Sequence, residues 1–425
     1  MILIKNVSAI LDSKTYKESV DIVIKDSRIS FVGDNAPEDN YSKVIDGSKY
    51  IALPGFVNTH SHLAMAFMRG YAEDVTLQDW LYKHIFPLEE RLTYDMVYFG
   101  TLLAAIESIK TGTTTVADFY LYPQASFRAL SEIGMRGNVG IAYASKPFMD
   151  RVIIEEVEKK YRELAGKDEK ILVSLAPHAP YTVSQELLKL TKEVSKKLGA
   201  IVQIHLHETE KEVVDYMKSY SRTPIEYLAS ISFLSDRVVA AHCVWVSEND
   251  IKILKKNGVW VSLNPESNMK LGSGIAPIDR FIDSRVKLVA GTDGVASNNN
   301  LSVLEAVRII GLLAKGISRN PRMLSVNDAF DILTVNGAKA LGFDDVGVLK
   351  EGYKADLILV RKDKPNMMPM HSPHSNIIYS MYPTDVDTVI INGEIVMLEG
   401  KILTIDEEIV KTEFNNLLKK LIEKE

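Results

Sequence analysis

Cys243 is the only cysteine in 425 residues. Without a second thiol, an intramolecular disulfide and a multi-thiolate metal site are both excluded. Long hydrophobic runs are missing too. The apolar stretches are short and interrupted, far below the roughly 20 residues that span a bilayer. The first residues, MILIKNVSAILDSK, carry charge early and lack a long apolar core followed by a small-residue cleavage site, so they read as a strand and not a leader. Positive charge is not in excess either: 50 Lys+Arg against 56 Asp+Glu leave a net charge of −6. That balance argues against a nucleic-acid groove, which must neutralise phosphates. No internal repeat or low-complexity tract is visible. What is present is 46% hydrophobic and 25% charged residues, an ordinary globular composition that excludes disordered and fibrous classes. The expectation is a cytoplasmic protein with no membrane or nucleic-acid partner. A homo-oligomer stays compatible with everything read here.

Division by ~150 residues per domain suggests about three domains, although barrels exceed that size as one unit. The patterning gives a different count. Over about the first 50 residues, apolar and polar positions alternate between turn signals, as antiparallel strands with one wet face require. The same texture returns in ADLILVRK and TVIINGEIVMLEGKIL, where Asn392-Gly393 is a strong hairpin turn. The end, EEIVKTEFNNLLKKLIEKE, reads as a charged amphipathic helix.

Between these ends, short continuous apolar runs alternate with helical stretches. The runs are IALPGFVNTH, TTTVADF, GNVGIAYAS, KILVSLAPH, AIVQIHLHE, RVVAAHCV, VWVSLNP and VKLVAGTD. Such runs suit parallel strands buried on both faces. SQELLKLTKEVSKKLG illustrates the helices, opening at Ser184 and closing at Gly199. Eight β-α units over roughly 290 residues predict an α/β fold, a (β/α)8 TIM-like barrel, a type that typically takes ~250 residues. An open doubly wound sheet is the alternative. The expected organisation is a barrel over residues 54–344, with 1–53 and 345–425 combining into a small discontinuous β-sandwich plus the terminal helix.

The sequence has nine histidines, of which His60, His62, His178, His205, His207 and His242 sit at or just after the strand-like runs. Barrel active sites lie at those C-terminal strand ends. His60 and His62, two apart on an extended segment, share a face and can reach one cation. A third imidazole and the carboxylate of Asp293 would complete an N₃O site suited to Zn²⁺ or Fe²⁺. His205 and His207 have the same parity, so either can point inward. Asp293 has a second reading as a turn residue before Gly294. Glu208 follows directly, and a buried carboxylate beside a metal is unfavourable unless it is used. His242 can be a packed histidine or a site residue, with Cys243 turned to the helical layer. The fourth run ends SLAPHAP, without the lysine that bridges two metals in binuclear barrels. One metal is the expectation.

In order along the chain, PGFVNTHSHLAMAFMRG, DWLYKHIFPLEERLT, APHAPYTVS, IHLHETEKE, AAHCVW, NPESNMKLGSGIAP, GTDGVASNNNL and KEGYKADLILV resemble the amidohydrolase superfamily in its nucleobase and nucleoside deaminase branch. Most specifically it resembles the 5′-methylthioadenosine/S-adenosylhomocysteine deaminases. That resemblance implies one divalent metal per chain, Zn²⁺ or alternatively Fe²⁺, on His60, His62, His205 and Asp293. It implies that Glu208 is the catalytic acid and base and touches the substrate, that His242 holds the attacking water, and that Asp293 also serves catalysis. It further implies that Glu89 takes the ribose hydroxyls and His178 the purine ring, while His207 is shell or pocket lining. Without the resemblance, Glu89 would read as a solvated helix face and Trp80 as core.

The implied reaction is hydrolytic deamination of an adenine nucleoside, namely 5′-methylthioadenosine, S-adenosylhomocysteine, adenosine or 5′-deoxyadenosine, to the inosine analogue and ammonia. The alternative keeps the metal site for guanine, cytosine or a triazine, by deamination or dechlorination. One segment departs from the family pattern. Relatives that accept S-adenosylhomocysteine present arginines after the third strand, where this chain reads IAYASKPFMDRV and offers only Lys146 and Arg151.

Overall fold

The computed structural model describes residues 1–145 and 153–423. The alternating N-terminal segment forms β1 (Ile2–Asp12), β2 (Thr15–Lys25), β3 (Arg28–Gly33), β4 (Lys43–Asp46) and β5 (Tyr50–Pro54). The eight apolar runs supply the next eight strands: β6 (Phe56–Ser61), β7 (Thr113–Tyr120), β8 (Arg136–Tyr143), β9 (Ile171–Pro177), β10 (Val202–Leu206), β11 (Val238–His242), β12 (Trp260–Leu263) and β13 (Lys287–Ala290). Each lies parallel to its neighbour in chain order. These strands carry apolar side chains on both faces because helices cover the outside of the barrel while the interior packs on itself. The open-sheet alternative is ruled out at the seam. There the Asp293 amide donates to the His60 carbonyl at 2.9 Å, and Thr59 Oγ1 donates to the Ala290 carbonyl at 2.8 Å.

The first run, IALPGFVNTH, is two strands and not one. It breaks at Gly55, so that β5 lies in a different sheet from β6. A Cβ at Gly55 would stand 2.1 Å from the Thr114 side chain, so the crossing requires glycine. The helix expected from Ser184 spans Gln185–Leu198. The Ser184 side chain accepts from the Leu187 amide, and Gly199 ends the helix at φ +65°.

After the barrel come β14 (Leu357–Arg361), β15 (Val386–Ile391), β16 (Glu394–Leu398) and β17 (Lys401–Ile402). Asn392 and Gly393, both at positive φ, make the two-residue turn between β15 and β16. Both chain ends join in one nine-stranded sheet of order β17-β16-β15-β14-β5-β1-β2-β3, with β4 beside β1. This sheet has its own apolar core around Ile4, Ile22, Ile24 and Leu357. It is tied to the barrel by Arg136 at the start of β8, whose buried guanidinium donates to both Asp356 oxygens at 2.5 and 3.0 Å. The helix Glu407–Ile422 lays Phe414 against Phe67, with ring centroids 4.1 Å apart and stacked. No helix among the described residues is long and apolar enough to cross a membrane.

Candidate active site

Four strand ends deliver these candidate residues to one place. His60 comes from β6 and His62 directly follows it, His205 lies on β10, and Asp293 follows β13. One donor atom from each of the four falls within 4.8 Å of the others, and all four residues are buried. Nε2 of His62 is 3.2 Å from Nε2 of His205 and 3.3 Å from Asp293 Oδ1, which is itself 3.4 Å from His60 Nε2. Beside them stand His242 from the end of β11 and Glu208 beyond β10, with 3.8 Å between His242 Nε2 and Glu208 Oε2.

Hydrogen bonds on the far side of each ring set which nitrogen faces inward. His62 Nδ1 meets the Phe119 carbonyl at 2.7 Å, and His205 Nδ1 meets the His178 carbonyl at 2.9 Å. A carbonyl only accepts, so each Nδ1 carries a proton and each Nε2 is turned into the cluster. Two such nitrogens 3.2 Å apart beside the Asp293 carboxylate call for a proton or a metal cation between the groups. Among the described residues, His60 Nε2 has no hydrogen-bond partner. Burial lowers His60 to about 4 and His205 well below its ordinary range, whereas for His62 the Asp293 carboxylate outweighs burial and raises it. Burial would raise the Asp293 carboxyl, but His60 and His62 hold it well below its ordinary range. Three imidazoles and a carboxylate converging on one point form a donor set that fits a single divalent ion.

The two readings of Asp293 coexist. Its Oδ1 accepts from the Gly294 amide at 2.8 Å while facing the histidines, and its Oδ2 accepts from Ser267 and Ser297 at 2.6 and 2.9 Å. His205 turns into the cluster and His207 turns away. The His207 ring donates from Nδ1 to the Trp245 carbonyl at 2.7 Å, and its Nε2 accepts the Ile225 amide at 3.2 Å. It is shell, holding the first turn of the helix Pro224–Ser230.

A model of the amidohydrolase family matches residues 51–396, most of the chain. The chain belongs to the amidohydrolase family. It is 42% identical over 411 residues to the 5′-deoxyadenosine deaminase of Methanosphaera stadtmanae, covering 96% of each protein. It is 39% identical over 429 residues to the 5-methylthioadenosine/S-adenosylhomocysteine deaminase of Thermoanaerobacter pseudethanolicus, covering 100% of both. Among solved structures it resembles an adenosine deaminase from Xanthomonas campestris with bound zinc, with a TM-score of 0.94 and 28% identity over 99% of this chain and 98% of that one.

In this amidohydrolase the donor cluster forms the floor of a cavity of about 740 Å³, the size range of small-molecule sites. Its walls include Glu89, Trp80, His178, Tyr120, Tyr143 and Tyr181. Glu89 ends the short helix Phe86–Glu89 and lines the cavity; it does not sit on a solvated face. Burial pushes its carboxyl up to about 7, opposed by the neighbouring Tyr120 hydroxyl and His62. Trp80 is buried, as expected of core, but it also lines the cavity. His178 Nδ1 lies 2.9 Å from Thr182 Oγ1, and burial lowers its pKa to about 4, so it meets the cavity as a neutral ring. Glu208 is raised by burial and by Asp293, and His242 opposes the shift. Lys146 and Arg151 lie outside the described residues.

Some residues that shape the site gave no signal in the sequence. Asn268 Oδ1 accepts from His242 Nδ1 at 2.8 Å and so aims His242 Nε2 at Glu208. Ser267 and Ser297 fix the outer oxygen of Asp293. The stretch NPESNMK contains two of these three residues, but nothing in its composition marks them as partners of groups on other strands.

Proposed function

We propose that this amidohydrolase is a zinc-dependent deaminase with one metal per chain, converting an adenine nucleoside to the inosine analogue and ammonia. The substrates proposed are 5′-deoxyadenosine, 5′-methylthioadenosine, adenosine and S-adenosylhomocysteine. The observation that carries this reading is the four-donor cluster at the floor of a nucleoside-sized cavity, with Glu208 and His242 3.8 Å apart beside it. The names of the relatives support it.

His60, His62, His205 and Asp293 would hold the ion. When bound, such an ion makes a water-derived nucleophile available at neutral pH. Asp293 accepts the proton released by that water. Glu208, whose carboxyl burial raises above its ordinary value, donates in its acid form to N1 of adenine and so makes C6 electrophilic. The oxygen adds at C6, Glu208 takes the proton of the new C6 hydroxyl and passes it to the departing amino group, and the proton held on Asp293 restores the acid form of Glu208 for the next turnover. The C6–N bond breaks and ammonia leaves. His242 presents Nε2 to the incoming oxygen and to the charge that develops there. His178 holds the purine, and Glu89 accepts the ribose hydroxyls.

The test is ultraviolet absorbance of the zinc-loaded protein with each of the four nucleosides. Loss of the adenine band with stoichiometric ammonia is expected. Turnover of guanine, cytosine or a chlorotriazine, with none of the nucleosides, overturns the reading. Glu89→Gln should raise KM for nucleosides, because one of the two acceptor oxygens facing the ribose becomes an NH₂ donor, and an unchanged KM removes the ribose contact.

A further inference from the structure

Glu212 was not a candidate on sequence grounds, yet its buried carboxyl faces back along the chain toward Glu208. Oε1 accepts from the His207 amide at 3.1 Å and Oε2 from the Glu208 amide at 2.9 Å. Two successive amides that converge on one carboxylate form a concave nest for an anion. His207 reaches this shape by adopting φ +54°, an uncommon value for a residue with a side chain.

The arrangement differs from ordinary helix capping. Glu212 is the third residue of the helix Glu210–Tyr220, and the Thr209 side chain already accepts its amide at 3.2 Å. In a capping box the acid at this position bonds back to the amide of the capping residue. Here its two oxygens take the amides of the two residues before Thr209, His207 and Glu208. Burial raises the Glu212 carboxyl, and the Glu208, His207 and Thr209 amides pull it back down. Burying an acid is unfavourable, and a threonine suffices to start the helix.

The rest of His207 is fixed independently. Its ring is held by Trp245 and Ile225, and its carbonyl accepts the Val244 and Trp245 amides at 2.9 and 3.0 Å. The peptide joining His207 to Glu208 is therefore anchored on its carbonyl side by the chain after β11 and on its amide side by Glu212.

We infer that Glu212 is a positioning residue for the acid and base of this site: it pins the Glu208 backbone so that the Glu208 carboxyl stays beside His242. The inference rests on the proposed role of Glu208. Glu212→Gln keeps the shape but leaves one acceptor oxygen for two donors, and turns an NH₂ toward an amide N–H.

The experiment measures kcat and KM on the nucleoside panel for the zinc-loaded wild type, Glu208→Gln, Glu212→Gln and the double variant, together with zinc per chain and the unfolding midpoint. Expected for Glu212→Gln is a fall in kcat of about 10- to 100-fold, with KM and zinc content unchanged. In the Glu208→Gln background the same change should have little further effect, because both act through one carboxyl. An unaltered kcat, a loss that tracks lost zinc, or an equal fractional loss in the Glu208→Gln background each overturns the inference. A wild type inactive on every nucleoside overturns the proposed function and this inference together. An active wild type matched by Glu212→Gln overturns this inference alone.

Discussion

Asn268 determines which nitrogen of His242 meets the cavity. With Nδ1 committed to Asn268 Oδ1, Nε2 faces Glu208. Asn268→Leu removes that commitment and leaves the ring free to turn or change tautomer. The expected outcome is a kcat lower by about 10- to 100-fold with full zinc occupancy, read by steady-state kinetics and metal analysis. Glu266 makes a different kind of prediction. Its Oε1 accepts from Asn300 at 3.2 Å, its Oε2 has no partner among the described residues, and burial raises the carboxyl from 4.5 to about 7. The folded protein thus keeps a proton that the unfolded chain releases near 4.5. Stability is fully present below that pH and declines as pH rises toward 7, at about 1.4 kcal/mol per unit and up to about 3 kcal/mol in total. Glu266→Gln should raise the urea midpoint at pH 8 and flatten its dependence between pH 5 and 8, and an unchanged slope would contradict the assignment. The histidines and acids at strand ends were legible because strand period and barrel geometry place them. Asn268 and Glu212 were not, because their partners are set by loop conformation, including the positive φ of His207, which no local pattern announces.

The eight barrel strands were readable as apolar runs because burial on both faces leaves an uninterrupted signal. The same property concealed the break at Gly55. β5 and β6 are each buried, so their junction looks like one strand, although the chain changes sheets there. Asn392-Gly393 was readable because a two-residue turn leaves few residue choices. The terminal helix was foreseen as amphipathic, but its docking site was not. Phe414 stacks on Phe67, in the 3₁₀ stretch Leu63–Met68 that directly follows His62. Phe414→Ala should cost about 3–4 kcal/mol by urea unfolding and increase amide exchange over residues 63–68. Loss of stability without faster exchange there would show that the helix does not brace the histidine loop.

At the scale of the whole molecule, the candidate metal donors come from the first, fifth and last barrel strands or the residues just beyond them, so an ion there would join distant parts of the chain. Removal of the ion leaves Nε2 of His62 and of His205 3.2 Å apart without the cation that would hold the three imidazoles and Asp293 together. Chelation should therefore lower the thermal midpoint, and zinc should restore it. Binding at 1,000 times Kd contributes about 4 kcal/mol. A midpoint indifferent to chelator would count against a resident metal. The barrel seam adds a consequence for biosynthesis. Asn58 and Thr292, hydrogen-bonded at 2.8 Å, are 234 residues apart in the chain. At about 5–20 residues per second, a ribosome that has made His60 and His62 works for tens of seconds more before Asp293 exists. The nascent chain thus carries a histidine pair without its third imidazole or its carboxylate, and selective metal uptake becomes a property of the finished polypeptide, acquired after most of it has been translated.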